Sequence, residues 1–261
     1  MNNNNKISVV INTYNAEKFL LPVLEAVKGF DEIVVCDMES TDDTCEIAAS
    51  MGCKIVIFPK GKYQIAEPAR TFAIQSASNK WVLVVDADEI VTPQLKEYLY
   101  KRIQNFDCPQ GLYIPRRNRI MNVLKKGRLR DYQLRFFIRE GTIWPPYPHT
   151  FPKVNGRIEK IPKKEDKAIF IHLATNYLSE RINKLNIYTD TEVKKKVDKN
   201  YGVIDLFTRP AWRFFKSYFL NEEWRNGISG FIDSVLDSVY QFVMVSKIIE
   251  SKLKAKQQDE K

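Results

Sequence analysis

Short apolar segments alternate with segments of helical periodicity through the first ninety residues, and this alternation constrains the fold more than any other feature. Each apolar run is short and rich in β-branched residues, as buried parallel strands are. The segments between them carry apolar residues three and four positions apart, which is typical of amphipathic helices. The predicted strands are ISVVI (7–11), EIVVCD (32–37), KIVIF (54–58) and WVLVV (81–85). Strands joined by helices predict an α/β fold with a parallel sheet and right-handed crossovers.

Local signals predict where the helices between these strands begin. Pro22 lacks a backbone N–H and fits best in a first turn, so the first helix is expected to begin near Leu20. Ser40 is followed three residues later by Asp43, which fits a capping box at the start of the second helix. The segment EPARTFAIQSAS (67–78) predicts the third helix.

Polar residues follow three of the predicted strands where those strands end. The tripeptide TYN (13–15) follows the first strand, Asp37 ends the second, and DAD (86–88) ends the fourth. In open parallel sheets, ligands bind at the carboxyl ends of the strands. We therefore expect these three clusters to converge on one binding site.

The two carboxylates of Asp86 and Asp88 predict a metal site at that edge. Hard oxygen ligands suit Mg²⁺ or Mn²⁺ rather than zinc. An ion held in this way keeps water or binds substrate phosphates, and it stabilises a diphosphate leaving group. The alternative is an acidic turn in which Asp88 or Glu89 caps a helix that begins near Pro93. The neighbouring polar clusters favour the metal site.

Positive charge is concentrated in residues 101–164, which hold sixteen Lys and Arg against four Asp and Glu. Residues 1–100 hold nine basic residues against fourteen acidic ones. A basic segment of this kind suggests an anionic partner such as a phosphate, a nucleic acid or an acidic membrane surface. The alternative is a solvated face without a partner.

The segments ISVVINTYN (7–15), VVCDMESTDDT (34–44) and ARTFAIQSASNKWVLVVDADE (69–89) resemble, in order and spacing, the family-2 inverting glycosyltransferases. Later segments resemble one subgroup, the lipopolysaccharide-core glycosyltransferases of the β-1,4-glucosyltransferase type. These segments are YIPRRN (113–118), DYQLRFF (131–137), KLNIYT (184–189), RPAWRFFKSYFL (209–220) and GISGFIDSV (227–235).

This resemblance implies the GT-A nucleotide-diphospho-sugar transferase fold, with a Rossmann-like, mostly parallel sheet and a C-terminal helical extension. It implies a catalytic domain over residues 1–175, in which residues 1–92 bind the nucleotide-sugar and residues 93–175 form the acceptor half. Residues 176–261 would form the helical region.

The resemblance also implies roles for the strand-end residues. The donor would be a UDP-sugar similar to UDP-glucose, and the enzyme would use Mn²⁺ or Mg²⁺ as its cofactor. The acceptor would be a hydroxyl of a cell-surface glycan or of a lipopolysaccharide core. Thr13, Tyr14 and Asn15 would contact the nucleotide, and Asp37 would bind its uracil ring. Arg70 would contact the nucleotide or a strand-end Asp. Asp86 would bind the ribose or the metal, and Asp88 would bind the metal.

Inverting transfer needs a base that takes the proton of the acceptor hydroxyl. The family uses the Asp of a Glu-Asp pair followed by Arg, and RDYQLR (130–135) carries Asp131 without the Glu. The subgroup carries His-Glu in the following loop, where this chain has His149-Thr150. Asp131 and His149 are both candidates for the base. His172 is either a structural residue or an acceptor-site residue.

The apolar residues of the segment 229–250 recur at helical spacing. This helix either packs on the catalytic domain or lies at the inner face of the plasma membrane, where Arg209, Arg213 and Lys216 would assist it. We expect a cytoplasmic location, because the four cysteines show no metal-ligand spacing and fit free thiols in a reducing compartment. No spanning helix is expected, since no run of eighteen apolar residues occurs, and MNNNNK (1–6) lacks the layout of a secretory signal.

Two other functions remain open at this point. One is a transferase that binds its donor but has lost its catalytic base, which the missing Glu after His149 would suggest. The other is a nucleic-acid-binding protein that uses the basic segment 101–164, although such a function leaves the strand-end acids unexplained. A nucleotidyltransferase is disfavoured because NTYNAE (12–17) lacks the glycines of a phosphate loop.

Overall fold

The computed structural model describes residues 5–63, 65–121, 123–127, 131–147, 150–176, 178–196 and 199–259. His149 and Arg130, which carry part of the predicted catalytic motifs, lie outside these ranges. The chain forms two compact units. The first contains Met1–Asn118 and Leu129–Ala174, and the second contains Arg119–Arg128 and Thr175–Lys261.

The first unit begins with four parallel strands in the order β3-β2-β1-β4. These strands are β1 (Ile7–Thr13), β2 (Glu32–Asp37), β3 (Lys54–Ile57) and β4 (Trp81–Asp86). The helices that connect them are α1 (Glu17–Val27), α2 (Thr44–Ser50) and α3 (Glu67–Gln75). All seven residues of β1 are buried, which explains why its sequence is continuously apolar rather than alternating.

The sheet continues beyond β4 through antiparallel pairing, so it is mixed rather than mostly parallel. The order is β4-β8-β6-β10-β5, with β7 and β9 paired to β6. These elements are β5 (Glu89–Val91), α4 (Pro93–Gln104), β6 (Gly111–Ile120), β7 (Val123–Leu124), β8 (Asp131–Ile138), β9 (Ile158–Lys160) and β10 (Phe170–Asn176). Because β8 runs antiparallel to β4, its first residues lie toward the carboxyl end of β4.

The two faces of the sheet are covered by different helices. Val9 and Ile11 pack with α1, whereas Val10 belongs to a second cluster that contains Ala73 and Ile74 of α3. This division follows from the alternation of side chains along a strand. Across the junction of the two halves, the Trp81 ring stacks on Phe136 with a centroid distance of 5.1 Å. The strand ends are thus held by a packed core.

Two helix starts differ from those that the sequence predicted. Helix α1 begins at Glu17, so Pro22 lies inside it rather than in its first turn. Its buried apolar face, which includes Leu20 and Val23, outweighs the hydrogen bond that proline cannot donate. Helix α2 begins at Thr44 without a side-chain cap. The predicted capping box is wrong because Ser40 hydrogen-bonds at the end of β2 instead.

The second unit is built from helices around a buried ionic cluster. Its elements are α5 (Leu178–Lys196), α6 (Asp205–Phe215), a π-helical turn (Lys216–Leu220), a 3-10 turn (Glu223–Asn226) and α7 (Gly227–Asp259). The Lys125 ammonium lies 2.7 Å from Glu223 and 2.9 Å from Asp233, and Arg181 pairs with Asp233. A small apolar cluster of Met244, Val245 and Ile248 lies further along α7.

One helical stretch of the second unit, Glu223–Lys254, qualifies as a candidate membrane span by length and composition. The sequence had predicted none, because no uninterrupted run of eighteen apolar residues occurs. About a third of its most apolar window, 33%, is buried within the structure. Core helices of water-soluble proteins satisfy the same criterion, so this is weak support for a span.

We expect Gly230→Ala to destabilise the second unit. An added Cβ would lie 1.9 Å from the Glu223 carbonyl oxygen, so the 3-10 turn and α7 would have to separate. This strain should exceed the gain of about 1 kcal/mol that alanine brings to a helix. The free energy of unfolding in urea should therefore fall by about 2 kcal/mol. Gly202→Ala is the control, since no atom lies within 4 Å of its added Cβ. Equal stability of the two variants would contradict this packing.

Candidate active site

The carboxylate of Asp37 connects the end of β1 to the segment that follows β2. Asp37 is only 1% exposed. Its Oδ1 accepts hydrogen bonds from the hydroxyls of Thr13, at 2.8 Å, and Ser40, at 2.6 Å, and its Oδ2 accepts from the Ser40 backbone N–H at 2.8 Å. Thr13 and Asp37 are register partners in β1 and β2, which brings them together. These hydrogen bonds hold the end of β1 against the segment that follows β2.

Asn15, in the turn after β1, makes further bonds to the segment after β2. Its φ of 49° lies in the left-handed region, which asparagine tolerates better than most residues. Its backbone N–H donates to Ser40 Oγ at 2.8 Å, and its Oδ1 accepts from the Thr41 N–H at 2.8 Å. These bonds fix the direction in which the neighbouring Tyr14 leaves the sheet.

A cavity of about 280 Å³ opens at the carboxyl ends of these strands. Tyr14 and Lys60 lie on its wall, with the Lys60 ammonium 4.2 Å from the centre of the Tyr14 ring. Asn12 also lines the cavity. Within the described part of the chain, its buried amide oxygen and nitrogen have no hydrogen-bond partner. Sequence reasoning missed Asn12, although a polar residue inside an apolar strand was a signal.

Asp86 is held between two buried arginines. Arg70 Nη2 lies 2.8 Å from Asp86 Oδ1, and Arg135 Nη2 lies 2.6 Å from Asp86 Oδ2. Burial raises the pKa of Asp86, but the positive charges of Arg135 and Arg70 outweigh it and hold the pKa well below its usual range. Both carboxylate oxygens of Asp86, a predicted metal ligand, thus form ion pairs with arginines.

The indole ring of Trp144 lies against both arginines. The guanidinium carbons of Arg70 and Arg135 are 4.5 Å and 5.2 Å from the ring centre. The Trp144 backbone N–H donates to Thr71 Oγ1, and Thr71 Oγ1 donates to the Trp144 carbonyl, which fixes the loop to α3. Sequence reasoning predicted Arg70 but missed Arg135 and Trp144, because nothing local shows that β8 lies beside β4.

Asp88 contacts a different partner, His172 on β10. The His172 Nε2 lies 3.0 Å from Asp88 Oδ2, and the Leu173 N–H donates to the Asp88 carbonyl at 2.7 Å. Burial lowers the pKa of His172, but its hydrogen bond to Asp88 and the charge of that carboxylate raise it more. The net effect is a pKa above the usual value. The pairing of β10 with β5 places His172 beside this turn.

Asp86 and Asp88 thus each have a partner of their own: two arginines for Asp86 and His172 for Asp88. Over the described ranges, no group of three or more His, Cys, Asp and Glu side chains is placed to hold a metal. The donor set that the structure does bring together is one carboxylate and one imidazole, Asp88 and His172. Both side chains are partly exposed. The carboxylate suits Mg²⁺ or Mn²⁺, and the imidazole is a ligand of transition-metal ions, so the pair fits a divalent ion such as Mn²⁺ that also binds water and phosphate oxygens.

Asp131 lies at the start of β8, where Arg116 connects it to Glu89. Arg116 Nε donates to Asp131 Oδ2 at 2.8 Å, and Arg116 Nη1 donates to Glu89 Oε1 at 3.0 Å. Gln133 Nε2 donates to the other Asp131 oxygen at 2.6 Å. Glu89 is fully buried, and its burial and the charge of Asp86 raise its pKa. Asp131 is held but remains about one third exposed, at 31%.

The sequence profile of glycosyl transferase family 2 matches residues 8–152. The chain belongs to this family. The match covers more than half of the chain and contains Thr13, Asp37, Asp86, Asp88 and Asp131. The predicted α/β fold of the GT-A type and the predicted enzyme class, a glycosyltransferase, are confirmed.

Several curated proteins resemble the family-2 chain over almost its whole length. A glycosyltransferase of Rickettsia typhi is 29% identical over 96% of the chain and 89% of the relative. A glycosyltransferase of Rickettsia bellii is 30% identical over 95% of the chain and 87% of the relative. The lipopolysaccharide core biosynthesis glycosyltransferase LpsC of Rhizobium meliloti is 26% identical over 94% and 92%.

Solved structures resemble the family-2 chain more distantly. Residues 1–349 of TarS from S. aureus are 16% identical, with a TM-score of 0.49, over 96% of the chain and 92% of that structure. Glucosyl-3-phosphoglycerate synthase of Mycobacterium tuberculosis, crystallised with Mn²⁺, UDP and glucosyl-3-phosphoglycerate, is 24% identical. The region of similarity covers 44% of this chain and 44% of the synthase, with a TM-score of 0.37.

We expect Asp86→Asn to destabilise the catalytic unit by about 3 kcal/mol, because it leaves two buried guanidinium groups without a counter-charge. Asp107→Asn is the matched control and should cost less than about 1 kcal/mol, since Asp107 and its partner Arg157 are exposed. Chemical denaturation at pH 7 measures both. Equal losses in the two variants would contradict the role given to Asp86.

The pH dependence of the same variant follows from the lowered pKa of Asp86. A carboxylate with a depressed folded-state pKa contributes stability above its unfolded pKa of about 4 and loses it as the pH falls. The stability difference between the wild type and Asp86→Asn should therefore be constant from pH 7 to about 5 and shrink below about 4. A difference that grows on acidification would contradict this assignment.

Proposed function

We propose that this family-2 glycosyltransferase moves a glucose-like sugar from a UDP-sugar, with inversion, to a hydroxyl of a lipopolysaccharide-core or other cell-surface glycan. One observation carries the proposal. The cavity beside Tyr14, the Asp88–His172 pair and Asp131 all lie at the edge where the parallel strands end. The full-length similarity to LpsC, whose name includes lipopolysaccharide core biosynthesis, supports this choice of acceptor.

In this proposal the cavity holds the nucleotide. Thr13, Tyr14 and Asn15 contact it, and Asp37 recognises the uracil ring. The buried hydrogen bonds of Asp37 hold Thr13 and Ser40 in position beside the nucleotide. The unpaired amide of Asn12, on the cavity wall, supplies one donor and one acceptor to the same ligand.

We further propose that Asp88 and His172 hold Mn²⁺ or Mg²⁺. When bound, the ion supplies positive charge beside the diphosphate of the donor, where negative charge develops as the sugar leaves. Asp86, fixed by Arg70 and Arg135, accepts a hydrogen bond from the ribose or contributes to the metal shell. The two arginines also add positive charge to this side of the site.

Asp131 is the proposed catalytic base. Its bonds to Arg116 and Gln133 orient the carboxylate. The exposed part of the group leaves access for an acceptor hydroxyl. His149 remains the second candidate from the sequence and lies outside the described residues.

The basic segment 101–164 is proposed to contact acidic sugars or phosphates of the acceptor. We propose residues 1–175 as the catalytic domain and residues 176–261 as the helical region. The location would be cytoplasmic and peripheral, at the inner face of the plasma membrane, where a lipid-linked acceptor is reached. No nucleic-acid partner is needed for this function.

Donor binding can be tested by calorimetry with UDP-, GDP- and ADP-sugars, with Mn²⁺ and with a chelator. We expect UDP-glucose to bind in the presence of Mn²⁺, and Asp88→Asn and His172→Gln each to weaken that binding at least about tenfold. Asp166→Asn, an exposed acid outside the site, is the control. Preference for a GDP- or ADP-sugar would refute the uracil assignment. Unchanged metal-dependent binding in the two site variants would refute the metal site.

The base can be tested by comparing Asp131→Asn with the wild type. Loss of a general base should lower the rate of transfer by at least about 100-fold, whereas the affinity for the UDP-sugar should not change. Transfer is measured with extracted core saccharide as the acceptor, and Asp107→Asn is the control. If Asp131→Asn keeps full activity, the base is another residue. If the wild type binds the donor but transfers to no glycan, the chain is a donor-binding protein without transferase activity.

A further inference from the structure

The outer face of α6 is apolar although none of its residues is buried. Ile204, Phe207, Ala211 and Phe215 follow one another at intervals of three or four residues, so they lie on one side of the helix. Phe207 is 70% exposed, and Trp212, at the edge of this side, is 59% exposed. The π-helical turn continues the apolar side with Phe219 and Leu220, which are also exposed.

In the first half of helix α7 the buried side is polar and the exposed side is apolar, which is the opposite of the pattern in helices of water-soluble domains. The first half of its buried side carries Ser229, Asp233 and Ser234, and Asp233 belongs to the ionic cluster with Lys125 and Arg181. The exposed side of the same half is apolar and follows a spacing of three and four residues. It consists of Ile228, Phe231, Val235, Val239 and Phe242.

The first half of α7 therefore buries polar side chains and exposes large apolar ones, whereas the apolar cluster of Met244, Val245 and Ile248 is confined to its second half. Exposed apolar areas of this extent mark interaction sites rather than ordinary surface. Helices α6 and α7 pack against each other, as shown by the contacts of Phe231 with Phe214 and Tyr218. The two exposed stripes therefore belong to neighbouring helices of one unit. We call them together the apolar face.

Cationic side chains lie beside the apolar residues of α6. Arg209, Arg213 and Lys216 follow at intervals of four and three residues, so they form one flank of the helix. The segment 205–220 contains these three basic residues against one acidic residue, Asp205. Lys216 is exposed. An apolar stripe with tryptophan and phenylalanine and a basic flank is the pattern of a helix that lies in a membrane interface.

We propose that the apolar face of α6 and α7 docks on the surface of an anionic lipid bilayer, with the basic flank at the level of the phosphate headgroups. This deepens the peripheral location given under the proposed function by naming the surface responsible. Lipid binding can be measured without sugar transfer, so the two proposals fail separately. A docked enzyme would search for a lipid-linked acceptor in two dimensions.

A bilayer explains the surface better than a second copy of the chain does. A protein interface buries cations only when they find carboxylates. Arg209 and Arg213 pair with Asp205 and Asp237 within the unit, yet their side chains remain 44% and 41% exposed. Lys216 is also exposed. The flank therefore offers cationic groups to solvent beside the stripe, where phosphate headgroups and water can satisfy them.

The test is sedimentation of the full chain with phosphatidylcholine vesicles, with and without phosphatidylglycerol. We expect binding to the mixed vesicles. Phe207→Ser combined with Phe215→Ser should weaken it at least about tenfold, with no change in Tm or in UDP-sugar affinity. Phe106→Ser combined with Leu21→Ser is the matched control, because both residues are exposed in the first unit.

The charge contribution has its own pair of variants. Lys216→Gln should weaken binding to phosphatidylglycerol vesicles by about fivefold and leave binding to neutral vesicles unchanged. Lys101→Gln, an exposed lysine on α4, should have no effect. Absence of vesicle binding by the wild type would overturn the proposal. So would a dimer in light scattering that becomes a monomer in the double phenylalanine variant, since a second copy would then cover the apolar face.

Discussion

The ionic contact between Asp86 and two arginines is the interaction on which the active-site half of this molecule depends. It joins three elements that are distant in the sequence: Arg70 on α3, Asp86 at the end of β4 and Arg135 on β8. Trp144 covers both guanidinium groups and is itself tied to α3 through Thr71. Because buried charges are costly unless they are paired, these groups hold one another in a single arrangement.

Both the parallel and the antiparallel half of the sheet contribute residues to the candidate site. The parallel strands supply the cavity and the acidic turn after β4. Strand β10 brings His172 to Asp88, and β8 brings Asp131 to the same edge with Arg116 as its partner. The candidate site therefore combines residues from both halves of the sheet. The profile of glycosyl transferase family 2 includes β8 and Asp131 but ends at residue 152, before β10 and His172.

The second unit follows a different physical rule from the first. The first unit buries its apolar residues on both faces of the sheet, as its strand patterns predict. The second buries an ionic cluster around Asp233 and exposes aromatic and aliphatic side chains on α6 and α7. Periodicity alone places those apolar residues on one side of each helix. Periodicity does not show whether that side faces a protein core. In α6 and in the first half of α7, that side is exposed instead.

By itself, the sequence determined the strand–helix alternation, the strand ends that carry Thr13, Asp37, Asp86 and Asp88, and the family resemblance, because these depend on local periodicity and short-range order. It placed Ser40 in a cap and Pro22 in a first turn, and tertiary contacts decided otherwise. Only the tertiary structure decided that Asp86 pairs with Arg135 and Asp88 with His172. The physical reason is that these partners are 49 and 84 residues apart, so their contact depends on strand pairing that no local pattern encodes.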